Sequence, residues 1–266
     1  MFQIIMNPRI EKLVAHIRNH RCYKHPVFEH WVLIDPPPEV VGAFFHQLQC
    51  FCAATRLGWN FPQALKLLGM QVESELVEAI VISEREHGQA LATMAGFILN
   101  CVAKRKICFD PNAQAAVEAQ LKEYSDQLLS SLPGYDPETG LTVEAQKAIA
   151  VLERRKLTDR ESTFLNLGST LALEIISNHH LIPGEKHCLV NSGLYEANMA
   201  DPEMRYLAEH WGEFGVEQQH EKNICIAVAS LLNEETEPLI MAGVNDFLNS
   251  LVGLWDLLDA ALLQFN

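Results

Sequence analysis

The sequence predicts an all-α protein, a helical bundle of about seven to nine helices in which residues 1–266 form a single domain. Nearly every segment places apolar residues at helical spacing, and no run of alternating β-branched residues indicates a sheet. A chain of 266 residues, 48% of them apolar, can bury a sizeable core. The most plausible internal joint, a Pro- and Gly-rich stretch at 133–140, is too short to indicate a domain boundary.

Five helices are expected in the N-terminal half, with proline and glycine near their ends. Pro38 suits the first turn of the second helix, and Gly58 and Gly69 follow the ends of the second and third. The segment 22–30 is expected to be a loop. The five helices cover about 10–20, 38–57, 62–68, 72–103 and 112–129.

Four more helices are expected in the C-terminal half. Thr158 and Glu161 form a capping box that would begin the second of them. A loop rich in Gly and polar residues is expected at 182–199, before the third. The four helices cover about 143–155, 158–178, 201–231 and 239–263.

Composition excludes several classes of partner. The net charge of −14, from 20 basic and 34 acidic residues, disfavours nucleic-acid binding. The longest apolar run, nine residues at 224–232, is far shorter than the roughly 20 needed to span a bilayer. No secretion signal is recognisable, and the seven cysteines include no CxxC pair. We therefore expect a cytoplasmic protein with no nucleic-acid or membrane partner.

Four side chains that can bind metals follow one another at intervals of three, four and three residues. On one α-helix this spacing places them on one face, which continues into the apolar residues Ile224 and Leu231. Burying bare carboxylates costs several kcal/mol unless a cation or hydrogen bonds compensate. The pattern therefore predicts a metal site that includes His210, Glu213, Glu217 and His220.

Two glycines lie within this motif. Gly212 and Gly215 would each cost roughly 1 kcal/mol in a helix interior relative to alanine. Their presence predicts close approach by another helix, a substrate or dioxygen.

Two other segments place acids on apolar helix faces. Glu84 and His87 are three residues apart, between the apolar Ile80 and Leu91. They repeat the Glu-x-x-His spacing of Glu217 and His220. Glu174 is a single carboxylate in an otherwise apolar helix, Gly168–Ile176. Three helices are therefore expected to contribute to one site.

Carboxylates and imidazoles that converge from several helices of a bundle are typical of sites for two iron or manganese ions. Zinc more often binds cysteine or three histidines, and calcium a loop of oxygen ligands. Iron is therefore the expected metal, two ions in number, with manganese as an alternative. His87 could hydrogen-bond a ligand instead of being one, and His210 competes with Glu213 for a ligand position.

These motifs, in this order, resemble the haem-oxygenase-like helical proteins. The resemblance is to their non-haem diiron oxidase branch, which includes the chlamydial protein associating with death domains. It rests on the His25-Pro-Val-Phe28 segment, the motif Ser83-Glu-Arg-Glu-His-Gly88, a mid-chain Glu and a late acid-x-x-His. It implies a haem-oxygenase-like fold with the metal ligands Glu84, Glu174, Glu217 and His220.

The chain departs from the family pattern at two positions. The family has a histidine where this chain has Glu213, and His210 lies one turn earlier. The family also has a histidine seven residues after its first Glu, where this chain has Leu91, which leaves His87 as a substitute.

The leading functional hypothesis is an iron-dependent oxidoreductase, a diiron oxidase or oxygenase that acts on a small organic substrate with dioxygen. Three alternatives remain. A ferritin-like bundle would need a further unpaired Glu on its first bundle helix, and the second predicted helix of this chain offers only Glu39, at its start. The other two alternatives are a non-catalytic binding protein with a degenerate metal site and a cofactor-free member of the same fold. Either would have the same helical fold but would not carry out metal-dependent oxidation. A homodimer is a further expectation for this fold.

Overall fold

Thirteen α-helices make up most of the part of the protein that the computed structural model describes: residues 7–56, 58–84, 87–102, 110–212 and 215–264, with the backbone alone at residue 87. These ranges contain no β-strand, and extended segments pair only at the isolated bridge between Asp136 and Leu141. The all-α prediction is confirmed. The helices are more numerous than expected, because two long predicted helices are each divided in two and two further helices occupy segments expected to be loops.

The N-terminal half contains seven of these helices. One of them, α2, occupies part of the segment expected to be a loop, because Val27, Phe28 and Trp31 are all buried in the core. The long helix expected at 72–103 is two helices, the first ending at Ser83 and the second beginning at His87. The seven are α1 Pro8–Asn19, α2 Val27–Ile34, α3 Pro38–Thr55, α4 Asn60–Leu67, α5 Gln71–Ser83, α6 His87–Val102 and α7 Gln114–Leu129.

The C-terminal half contains the other six. The cap of the second is Asp159, whose carboxylate accepts a hydrogen bond from the Ser162 N–H at 2.9 Å, so the capping box predicted from Thr158 is wrong. The six are α8 Val143–Glu153, α9 Arg160–Ile176, α10 Ile182–Lys186, α11 Arg205–His210, α12 Val216–Leu231 and α13 Glu237–Leu263.

The segment expected to be a loop at 182–199 begins as helix instead. The one-turn helix α10 lies between two π-helical turns, Ser177–Leu181 and His187–Asn191. The helical path that begins with α9 therefore continues to Asn191. Buried Leu181, Ile182 and Leu189 explain why this stretch packs as helix despite its polar residues.

The helix expected across the metal-binding motif is broken. Helix α11 ends at His210 and α12 begins at Val216. Gly212 has φ +89°, a conformation that side-chain-bearing residues rarely adopt, and Gly215 is the residue before α12. A Cβ on Gly215 would collide with the backbone carbonyl of His210. The prediction of one continuous helix face was therefore wrong, and these glycines make the turn between two helices.

Helix α13 packs along α9 more extensively than any other described pair. Two glycines allow this close approach: a Cβ on Gly168 would overlap the carbonyl oxygen of Ile240, and one on Gly243 that of Leu165. Helix α12 packs against both α5 and α9. The end of α5, the second half of α9 and the start of α12 therefore meet in the interior. None of the described helices is long and apolar enough to cross a membrane.

Candidate metal centre

The structure brings together the four residues that the family resemblance implies as ligands. Glu84 follows α5, Glu174 lies in α9, and Glu217 and His220 lie in the first turns of α12. One ligand atom each of Glu84, Glu217 and His220 lie within 4.8 Å of one another. Oε2 of Glu174 is 3.5 Å from Nδ1 of His220. All but the half-buried Glu84 are at most 5% exposed.

His210 reaches the same cluster from α11. Its Nε2 lies 3.7 Å from Oε1 of Glu217 and 4.0 Å from Oε1 of Glu84, and the residue is 3% exposed. Glu213, its competitor for a ligand position, lies outside the described residues, as does the side chain of His87. Five of the seven predicted site residues are therefore seen in one place.

Hydrogen bonding fixes the tautomer of His220. The Ser83 hydroxyl donates to the carbonyl of Ile80 at 2.9 Å, so its single proton is used there. The same oxygen lies 2.5 Å from Nε2 of His220 and must accept the Nε2–H. Nδ1 of His220 then carries a lone pair directed at Glu84 and Glu174, each 3.5 Å away.

His210 is oriented by a contact at its other ring nitrogen, Nδ1. Its Nδ1 is 2.6 Å from the backbone carbonyl of Tyr206, which can only accept, so Nδ1 carries the proton. The ring of Tyr206 also packs on the His210 ring, with centroids 4.3 Å apart. Nε2 of His210 therefore presents its lone pair to Glu84 and Glu217. A second hydrogen bond that orients the ring in this way is typical of metal-binding histidines.

The spacing of these atoms fits a small cation better than direct pairing. Separations of 3.5–4.0 Å between imidazole nitrogens and carboxylate oxygens are longer than the 2.7–3.2 Å of a hydrogen bond. Ligand atoms bound at about 2.0–2.2 Å to one ion lie about 3.0–3.6 Å apart, a range that includes the two 3.5 Å separations at His220. The separations of 3.7 Å and 4.0 Å at His210 are longer. Oε2 of Glu217 and Nδ1 of His220 also have no hydrogen-bond partner among the described residues. The residues present therefore fit a metal ion.

The electrostatics of the cluster also favour a cation. Burial raises the pKa of Glu217 well above its usual value, and the charges of Glu174 and Glu84 raise it further. Burial lowers the pKa of His220, but the Glu174 and Glu84 carboxylates outweigh it, so the net pKa is raised. Both shifts show that the site lacks positive charge, which protons supply when no metal is bound.

Sequence analysis missed a buried arginine behind the acids. Arg155 is 4% exposed and donates to the carbonyl of Thr55 at 2.8 Å and to the hydroxyl of Thr170 at 3.0 Å. Burial lowers its pKa to about 10, and the charges of Glu174 and Glu84 oppose that shift. Arg155 thus stays charged at neutral pH and offsets part of the negative charge. Its position after α8 gave no sequence signal, since Arg154-Arg-Lys156 resembles a solvated helix end.

A third buried acid, Glu185, was also missed because it falls in the segment expected to be a loop. It is 2% exposed, and neither carboxylate oxygen has a hydrogen-bond partner among the described residues. Burial raises its pKa to about 8. Its charge acts on Tyr206 and Glu217, which places it near the cluster, although it is not among the residues that line the cluster's cavity.

Two cavities adjoin the acids. The smaller, about 30 Å³, is lined by Glu84, Glu174, His210 and Glu217 among others. The larger, about 420 Å³, runs beside α3 and reaches Glu84. The two share four lining residues, Cys52, Thr55, Glu84 and Tyr206. A small molecule in the larger cavity would therefore lie next to the cluster.

Comparison with known proteins adds no assignment: no protein-family model, curated protein or solved structure matches the chain.

Proposed function

We propose that this protein is a non-haem iron enzyme, an oxidase or oxygenase that uses dioxygen to act on a small organic substrate. The observation that carries the proposal is His220 Nδ1, a buried nitrogen with no hydrogen-bond partner among the described residues, 3.5 Å from carboxylate oxygens of both Glu84 and Glu174. His210 Nε2 lies 3.7 Å and 4.0 Å from oxygens of Glu217 and Glu84 in the same cluster. Such an arrangement is unfavourable unless a cation or a proton lies between the atoms. The family resemblance, itself a proposal, implies four of these ligands, Glu84, Glu174, Glu217 and His220, and His210 is added on its position in the structure.

Two groups of ligands are available, enough for two ions. Glu84, Glu174 and His220 would hold one, and Glu217 and His210 would hold the other; Oε1 of Glu84 lies 3.5 Å from His220 and 4.0 Å from His210. Carboxylate oxygens with imidazole nitrogens suit iron or manganese better than zinc or calcium. Bound iron supplies the reductive activation of dioxygen.

The chain's own residues perform the other tasks. Ser83 contacts Nε2 of His220 and the Tyr206 carbonyl contacts Nδ1 of His210, so each imidazole is oriented with its other nitrogen toward the acids. Arg155 balances part of the acid charge without occupying a ligand position. The apolar residues around the small cavity, such as Ile80, Leu173 and Leu181, limit the entry of water.

The test is metal analysis of the protein produced with iron, followed by oxygen consumption with a chemical reductant. We expect one to two equivalents of iron, reduced by at least tenfold in Glu217→Ala because a buried ligand is lost. Glu221→Ala is the matched control. This neighbouring acid is turned away from the cluster and accepts from His179 at 2.9 Å and Asn178 at 2.5 Å.

Two results would contradict the proposal. One is less than about half an equivalent of iron or manganese, unchanged in Glu217→Ala. The other is full metal loading with no oxygen consumption by any reductant, which would favour the non-catalytic binding protein.

A further inference from the structure

The 420 Å³ cavity beside the acid cluster has the size of a small-molecule site. One wall is the face of α3 from His46 to Thr55, with Arg56 directly after the helix, and these ten steps rise about 15 Å. The opposite walls come from Gly88 and Leu91 of α6 and from residues of α7. Much of the middle is apolar, lined by Cys50, Cys52, Leu91 and Ala119.

Most of the polar groups in this cavity are already engaged. Nζ of Lys122 binds the Asp126 carboxylate at 2.8 Å and the Pro137 carbonyl at 2.9 Å. The Glu118 carboxylate accepts from the amides of Gln49 at 2.9 Å and Gln114 at 2.8 Å.

His46, at the end of the cavity away from Arg56, is also satisfied. Its Nδ1 lies 3.0 Å from the Ser125 hydroxyl. Burial lowers its pKa to about 4, with a further contribution from Lys122, so it is neutral at physiological pH. This end of the cavity therefore offers no free charge from a described residue to a ligand.

Arg56 differs from the other polar groups. Among the described residues it has no hydrogen-bond or ion-pair partner. Its guanidinium lies flat against Gly88, where a Cβ would be 2.6–2.8 Å from Nη1, Cζ and Nη2. Gly88 thus leaves room for the planar group at the cavity wall. Arg56 is exposed, and it follows directly after Thr55, one of the four residues shared with the small cavity.

We propose that this cavity binds a small organic carboxylate with an apolar body, and that Arg56 pairs with the carboxylate. A guanidinium forms two parallel hydrogen bonds with a carboxylate, which makes the pairing selective as well as strong. The apolar part would extend along α3 toward His46. That this ligand is the substrate rests on the proposed function, whereas the binding itself does not.

A carboxylate fits better than a phosphate monoester. The described lining of the cavity contains one unpaired cation, and the acids Glu84 and Glu118 also line it. A dianion would face a larger repulsion from these two carboxylates than a monoanion does. The overall charge of −14 acts in the same direction.

The experiment measures binding to metal-free protein by calorimetry, with phenylbutyrate, its uncharged amide and phenylbutyl phosphate as probes. We expect the carboxylate to bind at least about tenfold more tightly than the amide, because a hydrogen bond to a charged group is lost in the amide. Arg56→Gln should remove that preference and leave amide binding unchanged. Arg56→Lys should restore only part of it, since lysine cannot make the paired hydrogen bonds.

Two further variants test whether probe binding depends on this cavity and whether the carboxylate preference depends on Arg56. Arg160→Gln makes the same change at an exposed arginine that pairs with Glu235 at 2.8 Å, and it should bind both probes as the unmodified protein does. Cys50→Phe fills the middle of the cavity and should weaken the binding of both probes.

Several results would overturn the proposal: equal affinity for carboxylate and amide, a preference that survives Arg56→Gln, tighter binding of the phosphate, or no binding of the carboxylate at millimolar concentration. Because the measurement uses neither metal nor dioxygen, its failure differs from failure of the metal centre. Iron content of Arg56→Gln, measured in parallel, should equal that of the unmodified protein.

Discussion

The Ser83 hydroxyl accepts a 2.5 Å hydrogen bond from Nε2 of His220, while donating its own proton to the carbonyl of Ile80. A residue at the end of α5 thereby decides which nitrogen of a histidine on α12 is free. The adjacent residue, Glu84, contributes a carboxylate to the same cluster. The end of α5 therefore supplies both a candidate ligand and the group that orients another.

Ser83→Ala should weaken metal binding by about 10–100-fold, the usual effect of losing a hydrogen bond to a metal-binding histidine. The imidazole loses the acceptor that keeps its proton on Nε2. Competition titration with manganese or iron measures the change. Ser250→Ala removes a similar helix-surface hydroxyl, which donates to the Phe247 carbonyl at 2.9 Å, and should not alter affinity. Unchanged affinity in Ser83→Ala would disprove the orienting role.

Glu217→Gln should stabilise the metal-free protein by about 1–2 kcal/mol, because burial and the charges of Glu174 and Glu84 make this carboxylate costly without a cation. The same variant should lose most of the rise in melting temperature that metal causes. Denaturant unfolding of metal-free protein and thermal melts with added metal measure the two effects. A variant less stable than the parent in both conditions would contradict this account.

Glu221→Gln is the contrasting control. Its carboxylate is paired with His179 and Asn178 and its pKa is lowered: burial raises it, but these hydrogen bonds outweigh burial. The metal-free variant should therefore lose about 1 kcal/mol, the usual net value of such a bond. Its response to metal should be retained.

The stability of metal-free protein should depend on pH through Glu185. The folded pKa is about 8 and the ordinary value 4.5, so the folded state holds the extra proton between these values. The contribution of Glu185 to the free energy of unfolding is therefore greatest below pH 4.5 and decreases as pH rises toward 8. The loss by neutral pH is on the order of 3 kcal/mol. The difference in unfolding free energy between Glu185→Gln and the parent should grow over this range, and a constant difference would refute the prediction.

Gly215→Ala should destabilise the protein by about 1–3 kcal/mol, because the new Cβ meets the backbone carbonyl of His210 and not a movable side chain. It should also lower metal affinity, since the turn sets the separation of His210 from Glu217. Gly253→Ala, where a Cβ meets nothing closer than 3.8 Å inside α13, should be neutral or stabilising by up to about 1 kcal/mol. Equal stability of the two variants, measured by denaturant unfolding, would contradict this view of the turn.

Much of the cluster could be predicted from sequence, because a carboxylate on an apolar helix face is visible as a break in a pattern. Glu84, Glu174 and Glu217 were found in this way, and the structure places them together. The helical segments to which these acids belong could be inferred without knowing where each helix ends. The two glycines between His210 and Glu217 were interpreted as points of close approach, although positive φ at Gly212 ends the helical path.

Arg155, Glu185 and Arg56 could not be found by the same reasoning. Each lies in a segment whose pattern indicates a surface helix end or a loop, and its environment depends on distant elements. Arg155 is buried by contacts with Thr55 and Thr170, residues 100 and 15 positions away. Periodicity describes one helix at a time, so it does not show which helix end is covered by another.

The π-helical turn Ser177–Leu181 changes the effect that an insertion or deletion would have on this protein. An α-helix advances about 100° per residue, so eleven residues would bring Glu185 back nearly in line with Glu174. A π-turn holds about one residue more per turn, which rotates the next helical segment by roughly a quarter turn. With one residue fewer and the turn closed to α-helix, ten residues would separate the two acids, a rotation about 80° short of full turns and therefore close to the present one. Deleting one residue from this turn would thus leave the direction of Glu185 nearly unchanged, so the π-turn makes this stretch tolerant of a change in length.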